Sequence, residues 1–380
     1  MEFFLRKKVT LAVFVGLSTI TLPALAQTAD GGHYNLKRIV GDYGYWSRTQ
    51  TPPYSSAQIP FHKLTHINHA GVNFGSDGSL SIPDGFLEPD LIAKAHVAGV
   101  KVVLLLGGDF GALETDSGVS MALVNTLVGN VQAFVEQNGY DGVDIDWEYP
   151  SSTIDQQTFF ALMQALRTAF PAPRYVISAD VAPWGGTGYD FPDVTPVVDY
   201  FNIMMYDCAG PWTNHAQLNS PIFPDPNNPA PYECEPGGSV KEAIDIYVTQ
   251  LQIPPVKLNM GTPFYGYIYI NATKLYGLCK FCQYTVFSEN YGTFMKQRVN
   301  KNGWRTFYDP IALVPYMLRT DEKPGFITYD DPFSTYYRIW YSVWERGLGG
   351  SFMWSLDADY DGHSQDLLDA MYNASIKPVH

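Results

Sequence analysis

Short β-rich runs alternate with helical ones along this chain, and that alternation constrains the fold more than any other feature of the sequence. Strands are predicted at Arg38 to Tyr45, Leu64 to Val72, Lys101 to Leu106, Gly142 to Asp146, Tyr175 to Val181, Tyr200 to Met205, Val256 to Gly261 and Gly350 to Trp354. Helices are predicted at Glu88 to Val97, Val119 to Gln137, Asp155 to Phe170, Ser239 to Leu251, Ser334 to Arg346 and Ser364 to Tyr372. Strands alternating with helices form a parallel sheet wrapped by those helices. The run Leu104-Leu105-Leu106 suits a strand buried on both faces. Eight such units predict an α/β fold of the (β/α)8 TIM-barrel type, with its chemistry on loops at the C-terminal ends of the strands.

One gap is too long to be a loop. About sixty residues, Tyr267 to Thr328, separate the seventh strand from its helix, where connections run to about five. This predicts a small α+β insertion. The organisation expected is therefore 1–26 leader, 27–266 first part of the barrel, 267–328 insertion and 329–380 last part of the barrel. Within the insertion Tyr269, Tyr276, Phe281, Tyr284, Phe287, Tyr291 and Trp304 build either a satellite core or one wall of a groove. Pattern alone favours the core. Gln27 to Gly32 reads as a flexible tail.

At the start, Arg6-Lys7-Lys8 precedes an apolar run from Val9 to about Pro23, then Ala24-Leu25-Ala26. That order is a secretory signal peptide with cleavage before Gln27. A membrane anchor is the alternative, but the run is shorter than the roughly twenty residues a span needs. A secreted, extracellular protein with no membrane attachment after cleavage is expected, acting as a monomer. The formal charge of -14 and pI near 4.9 exclude a nucleic-acid partner, whose phosphates demand a basic face. Cys208, Cys234, Cys279 and Cys282 form an even set that suits disulfides in an exported chain, with Cys208 and Cys234 closing a loop. The CxxC of Cys279 and Cys282 reads as a local structural disulfide, since no second CxxC or paired histidine spacing accompanies it. Neither His66 nor His69 stands in a metal spacing, so no metal or cofactor is expected.

The chemistry concentrates in Tyr140-Asp141-Gly142-Val143-Asp144-Ile145-Asp146-Trp147-Glu148-Tyr149-Pro150. Strand alternation sets Asp144, Asp146 and Glu148 on one face and Val143, Ile145 and Trp147 on the other, with Pro150 ending the strand at Glu148. Same-face neighbours lie about 7 Å apart, close enough for their charges to oppose joint ionisation. One acid kept protonated beside ionised neighbours is what a general acid for glycosidic cleavage requires. The alternative is a solvated acidic edge strand, which leaves the apolar face without a partner.

Asp-Gly-x-Asp-x-Asp-x-Glu resembles the signature of family 18 glycoside hydrolases, the chitinases and their relatives. A second match is Met204-x-Tyr206-Asp207, running on through Ala209-Gly210-Pro211 to Trp212. Trp354, closing the eighth strand, resembles the tryptophan that floors the reacting subsite in that family. Gly261 to Gly266, which includes Tyr265, is similar to the family's seventh strand. The resemblance implies a secreted chitinase that hydrolyses β-1,4 bonds between N-acetylglucosamine units of chitin or chitooligosaccharides. It implies catalytic roles for Glu148, Asp146, Asp144 and Tyr206, and substrate binding by Trp354, Asp207, Met204, Trp212 and Tyr265. It also raises the wall reading of the insertion. Most glycosidases use two carboxylates, with family 18 an exception in which the substrate participates.

Departures from the pattern carry expectations too. Leu105-Leu106-Gly107-Gly108 replaces a Ser-x-Gly-Gly whose serine helps stabilise the innermost aspartate, so Asp144 needs another partner, with Asp42 or Tyr43 the candidates. Asp109 stands where many relatives carry tryptophan, so a sugar platform on the non-reducing side is either absent or supplied by Phe110. Rival readings are a chitin-binding lectin, an endo-β-N-acetylglucosaminidase acting on N-glycans, and a conventional two-carboxylate glycosidase.

Overall fold

The structure is a computed structural model that describes residues 25–27, 33–234, 237–279 and 282–378. The basic and apolar leader read from Arg6 to Pro23, most of the tail before residue 33, and Phe281 lie outside the described residues. Leu25–Gln27 pairs antiparallel with His33–Leu36, a unit separate from the body 37–376. Among the described residues no helix is long and apolar enough to cross a membrane.

In the body the strands are β1 (Arg38–Gly44), β2 (His66–Phe74), β3 (Lys101–Gly107), β4 (Gly142–Asp146), β5 (Val176–Val181), β6 (Tyr200–Ile203) and β7 (Leu258–Pro263). Five strands follow in the insertion: β8 (Tyr265–Ile270), β9 (Val286–Asn290), β10 (Arg305–Tyr308), β11 (Pro315–Arg319) and β12 (Gly325–Thr328). The last is β13 (Gly350–Trp354). Parallel pairing runs β1-β13-β7-β6-β5-β4-β3-β2, and β2 returns to β1 through Val40 opposite His66, which closes the barrel. The (β/α)8 barrel is thus the one the alternation predicts.

The helices of the barrel are α1 (Pro89–Val97), α2 (Met121–Asn138), α3 (Thr153–Ala169), α4 (Phe191–Val194), α5 (Val240–Ile244), α6 (Pro332–Trp340) and α7 (Asp366–Ser375), and the insertion adds short helical turns at Cys282–Thr285 and Lys296–Arg298. Their ends follow local chemistry. Ser120 caps α2, whose far end stops at Gly139 with φ 78°, a left-handed turn that suits glycine. Ser152 and Asp155 form a reciprocal capping box on α3. Phe159, Leu162, Met163 and Leu166 of α3 are fully buried, each worth roughly 1.5–3 kcal/mol against exposure. The first crossover holds only the 3-10 turns Tyr45–Thr49 and Phe61–Lys63, and the fifth only the 3-10 turn Thr187–Tyr189 and the single turn α4, so two of the eight units lack a full helix.

Inside the barrel Val40, Val103, Val176, Tyr200, Met204 and Phe352 form an apolar plug. Two residues further along three of these strands stand Asp42, Ser178 and Asn202, all fully buried, as period-two alternation requires. The barrel therefore has a polar layer in its heart. The insertion forms one antiparallel sheet in the order β9-β8-β12-β11-β10, and it begins with β8 at Tyr265, immediately after β7. Tyr269, Tyr291 and Trp304 are buried within it, while Tyr284 and Phe287 are exposed. Disulfides join Cys208 to Cys234 and Cys279 to Cys282.

Candidate active site

β4 carries the site. Its outward residues Val143 and Ile145 are fully buried, and Trp147 just beyond packs on Phe110 at 5.3 Å and on Phe159 of α3 at 6.3 Å. The apolar face is therefore under the helix layer, and the acidic face points into the barrel. One expectation needs correction: the strand stops at Asp146, not at Glu148. Register pairing with β5 ends at Asp146 opposite Asp180, and past the barrel mouth Glu148 has no neighbouring strand to bond. Glu148 therefore sits on the loop and opens into the cavity, which suits a group that must meet a substrate.

Asp144 lies in the polar layer, fully buried. Its Oδ1 accepts from the Ser178 hydroxyl and, at 3.3 Å, from Asn202 Nδ2. The partners expected for it, Asp42 and Tyr43, do not take that place. The Tyr43 hydroxyl donates to Glu88 at 2.6 Å, because its side chain points outward to the helix layer. Asp42 faces inward but is itself an acid pushed well up by burial and by the charges of Asp144 and Asp146. The hydroxyl missing at Leu105 is thus supplied from the opposite neighbour of β4: Leu105 and Ser178 both stand in register with Asp144, on β3 and β5.

Burial raises every acid in this cluster because desolvation disfavours the charged form. Asp144 goes to about 6, with Ser178 and Asp180 opposing through hydrogen bonds. Asp146 goes to about 8, first by desolvation and then by the charges of Glu148 and Asp144. Asp180 is pushed well above the carboxylate range by burial and by the charges of Asp144, Asp42 and Asp146, with Asn202 Nδ2 donating to its Oδ1 at 2.9 Å. Glu148 is raised by desolvation at the cavity wall, opposed by Tyr149 and reinforced by Asp207. At neutral pH the proton shared by Asp144 and Asp146 therefore sits mostly on Asp146, while Asp144 is mostly charged.

Beyond β4 a cavity of about 340 Å³ opens at the barrel mouth. Asp146, Glu148, Met204, Tyr206, Asp207, Tyr265 and Trp354 all line it. Tyr206 packs against the apolar plug and meets Tyr265 edge-on at 6.0 Å. Asp207, at φ 64°, turns its carboxylate to the Tyr265 hydroxyl and to the Tyr267 hydroxyl at 2.8 Å. Two of the predicted residues lie elsewhere. Asp144 is sealed behind Asp146, and Trp212 stands on the rim, 56% exposed, with its Nε1 donating to the Asp207 carbonyl at 3.3 Å. Phe110 cannot be a platform, since it is fully buried against Trp147. Trp46 lies 6.1 Å from Trp354 in a neighbouring hollow that shares Asp146 and Glu148.

The sequence reading missed Tyr149, Asp180, Tyr267, Ser288 and Asn290, which also line the cavity. Asp180 was within reach, because Ser178 and Asp180 share the inward face of β5. Ser288 and Asn290 were not: they come from β9, and only the folded insertion brings them to the mouth. The insertion thus furnishes both a small core and one wall. The two histidines are structural. His69 Nδ1 meets the Tyr140 hydroxyl at 2.8 Å, and burial lowers both His66 and His69 to about 3. Among the described residues no group of three His, Cys, Asp or Glu side chains is placed to hold a metal ion.

Fold and site together define a (β/α)8 barrel with a carboxyl-lined, aromatic-walled cleft at its C-terminal mouth, the equipment of a glycoside hydrolase. The chain belongs to glycosyl hydrolases family 18, whose family model matches residues 38–359. A probable endochitinase of Caenorhabditis elegans is 30% identical over 279 residues, covering 68% of this chain and 44% of that protein. Endochitinase 1 of Metarhizium robertsii is 25% identical over 393 residues, covering 93% and 88%. A crystal structure of Ostrinia furnacalis Group IV chitinase in complex with allosamidin superposes with TM-score 0.74 at 22% identity, over 89% of this chain and 98% of that one.

Proposed function

We propose that this chain is a chitinase that cleaves β-1,4 bonds between N-acetylglucosamine units with retention, the substrate's own acetamido oxygen serving as nucleophile. The observation that carries this reading is the state of the carboxyls around Glu148. A conventional retaining enzyme needs a second, ionised carboxylate free to attack. Asp207 is held by two tyrosine hydroxyls, Asp146 is pushed up to about 8 and keeps its proton at neutral pH, and Asp180 is raised well above the carboxylate range by burial and is bound by Asn202. That leaves Glu148 as the acid and the sugar as the source of the attacking atom. The relatives' names agree with chitin as the substrate.

In this scheme Glu148 protonates the glycosidic oxygen as the acetamido carbonyl closes on the anomeric carbon to form an oxazolinium ion. Tyr206 orients that carbonyl. Asp146 binds the acetamido N–H and stabilises the positive charge, which requires it to pass its proton inward to Asp144. Asp144, about 6 against about 8 for Asp146, is charged at neutral pH and ready to receive it. Glu148 then takes a proton from water, and configuration is retained. Tethering the nucleophile makes the attack intramolecular, which lowers the barrier by several kcal/mol. Trp354 offers a flat face to the sugar ring.

The protein is further proposed to act outside the cell as a monomer after cleavage before Gln27, which N-terminal sequencing of the exported protein and its sedimentation would check. For the activity, Glu148→Gln should remove nearly all turnover of chitohexaose while leaving sugar binding largely intact. Fully deacetylated oligomers should not be cut, and fresh ends should carry the β-anomer. Wild-type rates from the Glu148→Gln protein, or cleavage of glucosamine oligomers, would sink the scheme.

A further inference from the structure

We propose that the hollow beside Trp184 is a sugar-binding subsite for the arm of a chitin chain that runs past Tyr149, so that Glu148 cuts within a chain rather than at its end. This rests on the reading of the cleft as a chitin site and goes beyond it in assigning a second stretch of bound polymer.

The loop after β5 presents Trp184 to solvent at 40% exposure beside Tyr149 at 37%, their rings edge-to-face at 4.9 Å. Two large exposed aromatics side by side are an apolar patch, and such patches mark binding surfaces. This one adjoins the cleft. Tyr149 lines the central cavity and also a second hollow of about 700 Å³ that Trp184 lines as well. On the other side, the hollow holding Trp46 shares Asp146, Glu148 and Trp354 with the same central cavity. Glu148 therefore lies between two aromatic hollows and not at a closed end.

The backbone keeps Trp184 where it is. Gly185, at φ 80°, lies so close to the segment after α5 that a Cβ there would approach Leu251 to 2.9 Å and Ile246 to 3.0 Å. The left-handed backbone at Gly185 suits glycine, and the tryptophan before it stands out into solvent. The chemistry of the lining selects the ligand. Among the described residues that line the hollow none is charged: Ser151, Thr187 and Gln250 supply hydroxyl and amide groups beside apolar Ile246 and Leu251. In a chain of net charge -14, an uncharged hollow with a flat aromatic ring in its lining fits a neutral ring with one apolar C–H face and hydroxyls at its edge. A pyranose has that form.

The test compares long with short substrate. For Trp184→Ala the ratio of kcat/KM on chitohexaose to that on chitotriose should fall about tenfold, the equivalent of about 1.4 kcal/mol. Trp184→Tyr, which keeps a flat face, should recover most of that ratio. Products from the hexamer should shift toward those released from a chain end. An unchanged ratio for Trp184→Ala overturns the proposal. Binding keeps the subsite separable from the hydrolase reading: in Glu148→Gln protein, Trp184→Ala should raise the calorimetric Kd for chitohexaose about tenfold. If the unmutated protein cleaves nothing yet that Kd still rises, the hydrolase reading fails and the subsite stands. If cleavage is normal and the Kd does not move, the subsite fails alone.

Discussion

Ser178→Ala tests the proton arrangement on which the proposed mechanism depends. The Ser178 hydroxyl and Asn202 amide both donate to Asp144 Oδ1, and each favours the charged form of that acid. A hydrogen bond to a charged group contributes about 1.5–3 kcal/mol, and one pH unit corresponds to about 1.4 kcal/mol. Because Asn202 remains, the lower end applies, and Asp144 should rise by about one unit from about 6. The sign follows directly. Activity requires the Asp144–Asp146 pair to carry one proton, so that Asp146 can discharge its own inward. Raising the lower titration keeps the pair doubly protonated to higher pH, and the acid limb of kcat/KM should move up by about one unit. The assay is the pH profile of hydrolysis of a chromogenic chitobioside, with Ser178→Thr as the variant that keeps a hydroxyl. An acid limb that stays in place for Ser178→Ala, with only the plateau lowered, would refute the assignment of Ser178 as the group that holds Asp144 charged.

The converse change is Leu105→Ser, which returns a hydroxyl in register with Asp144 on its other side. It should move the acid limb down by up to about one unit, and losing a side chain only 4% exposed should cost about 2–4 kcal/mol in denaturant melts. A limb that moves upward would contradict the geometry. Stability should respond to pH as well. Asp144 and Asp146 titrate at about 6 and about 8 in the folded chain against an ordinary 3.8, so the stability they confer is complete below the ordinary value and is lost as pH rises through these two. The melting temperature should therefore fall across that window, and Asp146→Asn should flatten the upper half of the decline. A Tm that climbs over the same range would show that these acids are not buried as described.

The fold was legible because its signals are local. Strand and helix periods, the capping serines and the run Leu104 to Leu106 all act within a few residues, and β13 has the ends the sequence reading assigns. The fifth unit was harder, since a single-turn helix has no period to detect. The acid row was legible for a similar reason: alternation alone sends Asp144 and Asp146 to one side. Glu148 shows the limit, because whether a residue continues a strand depends on a neighbour to bond, and alternation cannot tell where that neighbour ends. Phe110 and Trp46 show the same limit. Both are aromatic and near a strand end, and only packing decides that one is buried on Trp147 and the other faces the cleft.

The sequence by itself determined that eight parallel strands would close around a face of acids, and that an insertion would follow the seventh. Local periodicity is sufficient for that, because hydrophobic pattern specifies which face each element buries. Tertiary structure decided everything that depends on two distant segments meeting. Ser178 and Asn202 hold Asp144 in place of the absent serine, Tyr267 helps hold Asp207, and β9 lends Ser288 and Asn290 to the wall. These are contacts between residues far apart in the chain, and a hydrogen bond or a shifted proton affinity is a property of the pair and its burial, which neither partner carries in its own sequence context.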